Sequence, residues 1–367
     1  MKRRTQAIAA ALAVGAGGCT TPTTFFGTYP EFDSFAALRV FPEGGLVAAG
    51  YANGSGGGES GAALLRLDPN GTPLWSRTYR LDGVETRASD LVIAANGDVV
   101  LAGRVLAETD DVFVVRADGD GNPIWSTAIE GARDERATQI ESTADGGFVV
   151  TNDQQVGDNV FKLDAAGQIV WRRHVDTDGY FSNAAVLSNG LIVVAGEEVV
   201  TLSSDGFELS RRPTTVSNGA AISLPRGGVV ATTADVIAVA GASEDVGVVT
   251  GFDSLGSRLW EDVLDPVGAS LVEVHGVDGA PNGGVAITGR DVLYLDPWHP
   301  ETQAHWPAAI VTDPLGRSVA RQRLALTIDV YPDTGAYVAD RGEMAMAGRT
   351  ADAAVILETL GLGGPQS

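Results

Sequence analysis

Short apolar runs, each closed by glycine or by an Asp-x-x-Gly string, follow one another along most of this chain. The stretch from Gly97 to Trp125 shows the pattern best. It opens with Gly97-Asp98-Val99-Val100-Leu101-Ala102-Gly103 and, after a polar gap, continues as Asp111-Val112-Phe113-Val114-Val115-Arg116-Ala117. Asp118-Gly119-Asp120-Gly121-Asn122 and Pro123-Ile124-Trp125 complete it. Runs of this length, rich in β-branched residues and bounded by turn formers, predict strands. Beyond the N-terminus no long segment holds a 3.6-residue apolar period, so helices are not expected.

The same order of parts recurs. With Gly45, Gly97, Gly147, Gly190, Gly228, Gly284 and Gly342 as markers, successive spacings are 52, 50, 43, 38, 56 and 58 residues. A further apolar run precedes each marker, as in Leu91-Val92-Ile93 and Ala184-Ala185-Val186-Leu187, so each unit holds four strands in a meander. Periods of this size with several short strands indicate a ring of sheets. The expectation is an all-β, seven-bladed β-propeller of four-stranded antiparallel blades, one domain over residues 25–362. One such sheet buries neither face alone, whereas a ring buries each face against the next blade. The last repeat lacks an aromatic fourth strand, while Phe25-Phe26-Gly27-Thr28-Tyr29 near the start echoes Leu74-Trp75-Ser76-Arg77-Thr78-Tyr79. Residues 24–30 are therefore expected to pair with the last blade and close the ring.

Asp68, Asp164, Asp253 and Asp313 each stand three residues before a glycine, the arrangement of a type I turn capped by aspartate. The tryptophans that follow are read as packing between blades. Asp118-Gly119-Asp120-Gly121-Asn122 has some features of a calcium loop but lacks the later bidentate glutamate, and is read as another turn.

Composition changes the picture in two ways. Formal net charge is -22, from 25 basic and 47 acidic residues. Such a surface repels phosphate backbones, so nucleic acid is not an expected partner. The N-terminus carries Lys2-Arg3-Arg4, an apolar run from Ala7 to Val14, and small residues before Cys19, the single cysteine. That is an export signal over residues 1–18, with an apolar core too short to span a bilayer in the mature protein. It resembles a bacterial lipoprotein signal, which implies lipidation of Cys19, a tether over 19–24 and an address in the cell envelope. Thr20, where an inner-membrane-retained lipoprotein often has Asp, implies the outer membrane. Removal of residues 1–18 would discard three positive charges and take the net charge from -22 to -25. Residues 363–367 form a tail.

Glycine pair, Val-Val-Ala-Gly strand, Leu-Asp-x-x-Gly turn and tryptophan strand together are similar to bacterial propellers of the quinoprotein-dehydrogenase-like superfamily and related delta-60-type repeats. The resemblance covers residues 24–362. Alcohol-oxidising members of that group have a vicinal cysteine pair, which this sequence lacks. A lipid-anchored propeller of the outer-membrane β-barrel assembly machinery, a scaffold without an active site, shares the anchor and the general repeat.

Candidate chemistry is sparse. The least repeat-like piece runs from Leu293 to Trp306 and holds Asp296, Trp298, His299, Glu301, His305 and Trp306, a candidate recognition loop. Its acids and histidines match no known metal-ligand spacing, and Pro297, Pro300 and Pro307 argue against a helix that would align them. His174 and His275 are read as structural. The second-to-third-strand loops concentrate Glu108, Asp110, Asp111, Asp153, Asp158, Glu244 and Asp245 on one face. No nucleophile elbow, phosphate loop or paired-histidine zinc motif occurs, so no catalytic residue, metal or cofactor is assigned. The expectation is a monomeric, non-enzymatic binding or scaffold module that presents an acidic loop face to a protein or glycan. A propeller enzyme, glycan-acting or quinone-type, and a calcium-dependent surface adhesin are the alternatives.

Overall fold

The computed structural model describes residues 24–359 apart from 56, 132–133, 154–156, 178–182, 215–222, 233–234, 244–245, 265–270, 281, 295–302, 324–330, 339–342 and 350–353. Every regular element among the described residues is a β-strand. After β1 (Thr24–Tyr29) comes a first blade of β2 (Phe32–Val40), β3 (Leu46–Asn53), β4 (Ser60–Leu67) and β5 (Pro73–Tyr79). The second is β6 (Thr86–Ile93), β7 (Val99–Val105), β8 (Asp111–Ala117) and β9 (Pro123–Ile129). The third is β10 (Ala137–Ser142), β11 (Phe148–Asn152), β12 (Val160–Leu163) and β13 (Ile169–Arg173). The fourth is β14 (Asn183–Val186), β15 (Ile192–Ala195), β16 (Glu198–Leu202) and β17 (Glu208–Pro213). The fifth is β18 (Ser223–Ala231), β19 (Ile237–Ser243), β20 (Val246–Phe252) and β21 (Arg258–Val263). The sixth is β22 (Leu271–Gly279), β23 (Val285–Tyr294), β24 (Gln303–Thr312) and β25 (Ser318–Arg323).

Strand order in each of these sheets follows the chain. Among the described residues, the blades built from one contiguous stretch number six, where seven marked repeats anticipate seven. The last repeat supplies only β26 (Tyr331–Val338), β27 (Glu343–Arg349) and β28 (Ala354–Thr359), and its sheet has the order β1-β28-β27-β26. Phe25 pairs with Leu357 and Tyr29 with Ala354. The expectation of seven blades is corrected in this respect: six are contiguous, and the remaining four-stranded sheet is a composite of the two chain ends. The inner strands pack side by side in the order β26, β2, β6, β10, β14, β18, β22 and back to β26, enclosing an axis.

Burial follows from this arrangement. Middle strands β11 and β15 are buried along their whole length, while outer strand β13 alternates between half-buried and exposed. The apolar core is divided into layers, each between two neighbouring sheets. One joins Val47, Leu64 and Phe41 of the first blade to Leu91, Leu101 and Phe113 of the second. Another joins Val100 and Val114 to Ile140, Phe148 and Phe161. Continuous apolar runs in the middle strands are the sequence trace of this two-sided burial.

The fifth repeat is phased differently from the sequence expectation. Gly227-Gly228-Val229-Val230, taken there as turn and second strand, lies inside the inner strand β18, and β19 is the second strand. At the turn between them Asp235 adopts φ +54°, where corresponding turns have Gly44, Gly97 or Gly190 at φ +82° to +87°. Aspartate is among the few residues other than glycine that tolerate this region. Its carboxylate also accepts from the Ser188 amide at 3.0 Å and the Ser188 hydroxyl at 2.6 Å, tying the turn to the fourth blade.

The Asp-x-x-Gly turns have the local cause inferred from sequence. Asp68 Oδ1 accepts from the Asn70 and Thr72 amides, both at 2.8 Å, and Asp118, Asp164, Asp253 and Asp313 repeat the arrangement. The outer tryptophan of one blade lies over the turn of the next. Trp75 Nε1 donates to Gly119 O at 3.0 Å, Trp125 to Ala165 O at 3.1 Å and Trp171 to Ser204 O at 3.0 Å. The fit is close: a Cβ added to Gly121 would come within 2.9 Å of the Trp75 ring.

The composite sheet closes on the first blade through aromatic contacts. Tyr29 meets Phe35 edge-on with centroids 5.9 Å apart, and Phe35 lies 4.9 Å from Phe32. Burial pushes the Tyr29 hydroxyl up to about 12, with Glu31 adding to the effect. Tyr29→Ala should therefore destabilise the protein by about 3–4 kcal/mol. Leu74→Ala on an exposed outer strand should stay within about 0.5 kcal/mol of the parent. Urea midpoints of the two variants check this, and equal midpoints would show that the seam carries no special share of stability.

Candidate functional site

The inner strands line the axis, and three of them place a charge at the same height. Arg39 pairs across its sheet with Val47, Glu141 with Val149 and Asp278 with Ala286, each at the corresponding register position before the first turn of its blade. Asp90 lies two residues before the corresponding position on β6, beyond a bulge that interrupts the register between Ala88 and Asp90. A bulge of this kind re-aims side chains.

These groups answer one another. Arg39 Nη2 donates to Asp90 Oδ1 at 2.9 Å, and its Nη1 donates to Leu38 O at 2.9 Å. Asp90 Oδ2 accepts from the Ile140 amide at 3.0 Å, so one carboxylate links the inner strands of three blades. Gln139 Nε2 donates to Glu141 Oε1 at 2.9 Å. Arg39 keeps 29% of its side-chain surface open, and Asp90 10%. Burial raises Glu141 to about 7, with Asp90 and Asp278 reinforcing the shift and Arg39 opposing it. Burial also pushes Asp90 upward, against the pull of Arg39 and the two backbone amides it accepts from. Desolvation works against the Arg39 charge, but Asp90, Asp278 and Glu141 together hold its protonated form above the ordinary range.

A second cluster stands where β22 and β23 begin and end. Glu273 Oε2 accepts from Arg290 Nε and lies 3.3 Å from His275 Nε2. His275 occupies the bulge between Val274 and Gly276, and its side chain is 4% exposed. The His275 contact is the main influence that lowers Glu273 to about 2, with Arg290 adding to it against burial.

The acidic loops are partly paired. Arg104 Nη1 holds Asp110 Oδ2 at 2.6 Å, and Arg136 Nε holds Asp153 Oδ2 at 2.6 Å. Glu108 is exposed, Asp111 and Asp158 are half-buried, and Glu244 and Asp245 lie outside the described residues. Glu135, absent from the sequence reading, is buried beneath them and accepts from Asn152 Nδ2 at 3.0 Å.

Of the candidate recognition loop, Asp296, Trp298, His299 and Glu301 lie outside the described residues, as does Cys19. His305 and Trp306 stand on β24, paired with Val292 and Asp291. Both ends of that segment are therefore strand, because β23 and β24 extend the hairpin to ten residues each. His174 Nδ1 lies 2.5 Å from Gly157 O, and His275 belongs to the cluster with Glu273. Sequence reasoning missed Arg39, Asp90, Gln139, Glu141, Asp278 and Glu273. A signal was present, since these are polar residues in the run that precedes each turn. That such a run lines the axis is a property of the ring. Among the described residues, no three His, Cys, Asp or Glu side chains are grouped so as to hold a metal ion.

No family model matches the chain. It is 26% identical over 281 residues to the regulatory protein FlaEY of Caulobacter vibrioides, an alignment that takes in 62% of this chain and 28% of that protein. Among solved structures, a streptogramin B lyase superposes with a TM-score of 0.63 at 14% identity, covering 92% of this chain and 97% of the lyase. A catalytically inactive virginiamycin B lyase variant from Staphylococcus aureus, with quinupristin, gives 0.62 at 10% identity, covering 92% and 98%. The β-propeller domain of Cps50 (Swd1) from Myceliophteria thermophila gives 0.62 at 11%, covering 92% and 100%. At these identities the likeness establishes the fold: the chain is a β-propeller.

The axial cluster makes a pH dependence. Glu141 is held protonated in the fold to about pH 7 but ionises near 4.5 when unfolded. Unfolding is therefore favoured increasingly as pH rises from 4.5 to 7, by about 3–4 kcal/mol for a shift of this size. Glu141→Gln should remove that loss and be more stable than the parent at pH 8, with the two converging near pH 4.5. Denaturant titrations at pH 4.5, 6 and 8 check it.

Proposed function

We propose that this protein is a non-enzymatic binding module of the cell envelope, anchored through Cys19, that presents its acidic loop face to a basic partner. One observation carries the reading. The titratable groups gathered at the axis are occupied by one another: Arg39 by Asp90, Asp90 also by the Ile140 amide, and Glu141 by Gln139. A depression of about 330 Å³ lies where the turns of the second, third and fourth blades converge, lined by residues such as Ala94, Ser142, Thr143, Phe148 and Ser188. No acid, base or thiol is among its lining residues. A catalytic site needs a reactive group open to substrate. A net charge of -22 favours encounter with a positively charged surface.

Titration calorimetry with a deca-lysine peptide tests the loop face. Binding should weaken steeply between 20 and 500 mM NaCl and fall several-fold in a Glu108→Lys/Asp158→Lys variant. Undiminished binding by the variant would remove the loop face from the proposal. The anchor has its own test: metabolic palmitate labelling should mark the parent and be absent from Cys19→Ser, which should leave the membrane fraction.

One observation favours a second reading. His275 and Glu273 form a hydrogen-bonded acid–base pair on an inner strand, and the propellers of similar shape include lyases, one of them as an inactive variant with quinupristin. On the binding reading, incubation with quinupristin leaves it unchanged by mass spectrometry. A converted product that disappears with His275→Ala would replace the binding module with an enzyme.

A further inference from the structure

The outer strands all begin at one rim of the ring, the rim of the Asp-x-x-Gly turns. Every contiguous blade is a meander of the same order, and three outer tryptophans reach the same turn of the next blade. At this rim the second residue of the outer strand is a large aliphatic in five blades. Leu74, Ile124, Val170, Leu209 and Leu259 are 52–60% exposed. The turns add Phe207, Leu255 and Leu315, each beside the turn glycine and at least half exposed. Single exposed aliphatics need no explanation. Repetition at one position of successive blades sets them around a common circumference.

The chain also enters at this rim. Thr24 pairs with Glu358 near the end of β28, just as Pro73 pairs with Leu67 at the end of β4. Cys19 precedes Thr24 by five residues, a reach of at most about 17 Å fully extended.

We propose that the turn rim of the propeller rests on the lipid surface, its ring of aliphatic side chains entering the interfacial layer while the acidic loop face points away. The proposal rests on the reading of Cys19 as the anchor. Apolar contacts at the interface add to the hold of the acyl chains on Cys19. A rim seated around its circumference also fixes the tilt of the ring, which attachment at one point by itself does not.

Brominated-lipid quenching tests it, with Trp75, Trp125, Trp171 and Trp260 at the rim as reporters in a Trp298→Phe/Trp306→Phe background. Two samples are reconstituted with phosphatidylethanolamine–phosphatidylglycerol vesicles. One is the full chain purified from membranes. The other starts at Thr20 and is held by an N-terminal hexahistidine on nickel-chelating lipid. Both should show quenched, blue-shifted emission, and a Leu74→Ser/Ile124→Ser/Leu259→Ser variant should lose most of the quenching while keeping its far-UV circular dichroism. Unquenched emission from the hexahistidine-held protein, or quenching that survives in the triple variant, would overturn the rim contact. Quenching in that sample without palmitate on Cys19 of the membrane form would overturn the anchor and leave the rim as a lipid-binding surface.

Discussion

A four-stranded sheet with apolar residues on both faces needs a neighbour on each side, and that requirement governs the molecule. Val149 and Val150 are adjacent on one strand and so point to opposite faces, yet both are fully buried. Val150 packs toward the second blade and Val149 toward the fourth. A linear stack would leave two oily faces at its ends. Joining β1 to β28 and packing β26 against β2 removes both ends at once. The aromatic group of Tyr29, Phe32 and Phe35 sits at this junction, where the contacts connect residues most distant in the chain.

Ring closure creates a place that no single blade contains. The inner strands face an axis, and polar residues there meet partners from other blades: Arg39 meets Asp90 across 51 positions of sequence, and Asp90 meets Ile140 across 50. The low effective dielectric that raises Glu141 to about 7 is a consequence of this crowding. The acids exceed the single Arg39 in this cluster, so one of them is held partly neutral instead of all being charged.

Outward from the axis, carboxylates serve structure. Asp68, Asp118, Asp164, Asp253 and Asp313 spend an oxygen on the amides of their own turns, and the turns of Asp118, Asp164 and Asp313 then receive the tryptophans of preceding blades. A large negative charge is thus compatible with a compact ring because a share of it is hydrogen-bonded locally. Where Ser210 stands at the tryptophan position, its hydroxyl donates to Leu255 O of the next turn at 2.8 Å, and Arg212 and Val199 approach the turn glycine, Gly256.

Strand identity, four-strand meander, turn chemistry and inter-blade tryptophans were legible in the chain because each depends on neighbours within a few tens of residues. Short apolar runs, glycine at left-handed turns and aspartate caps are local preferences. The phase of the fifth repeat was not legible, since Gly227-Gly228 imitates the usual turn and Asp235 replaces the glycine that would have marked the true one. A count of repeats overstated the contiguous blades, because the last repeat is completed only by β1, the pairing that its missing fourth strand signalled. The axial residues were not legible. Arg39, Glu141 and Asp278 lie 102 and 137 residues apart, and only closure of the ring, driven by burial of both faces of every sheet, puts them at one height around one axis.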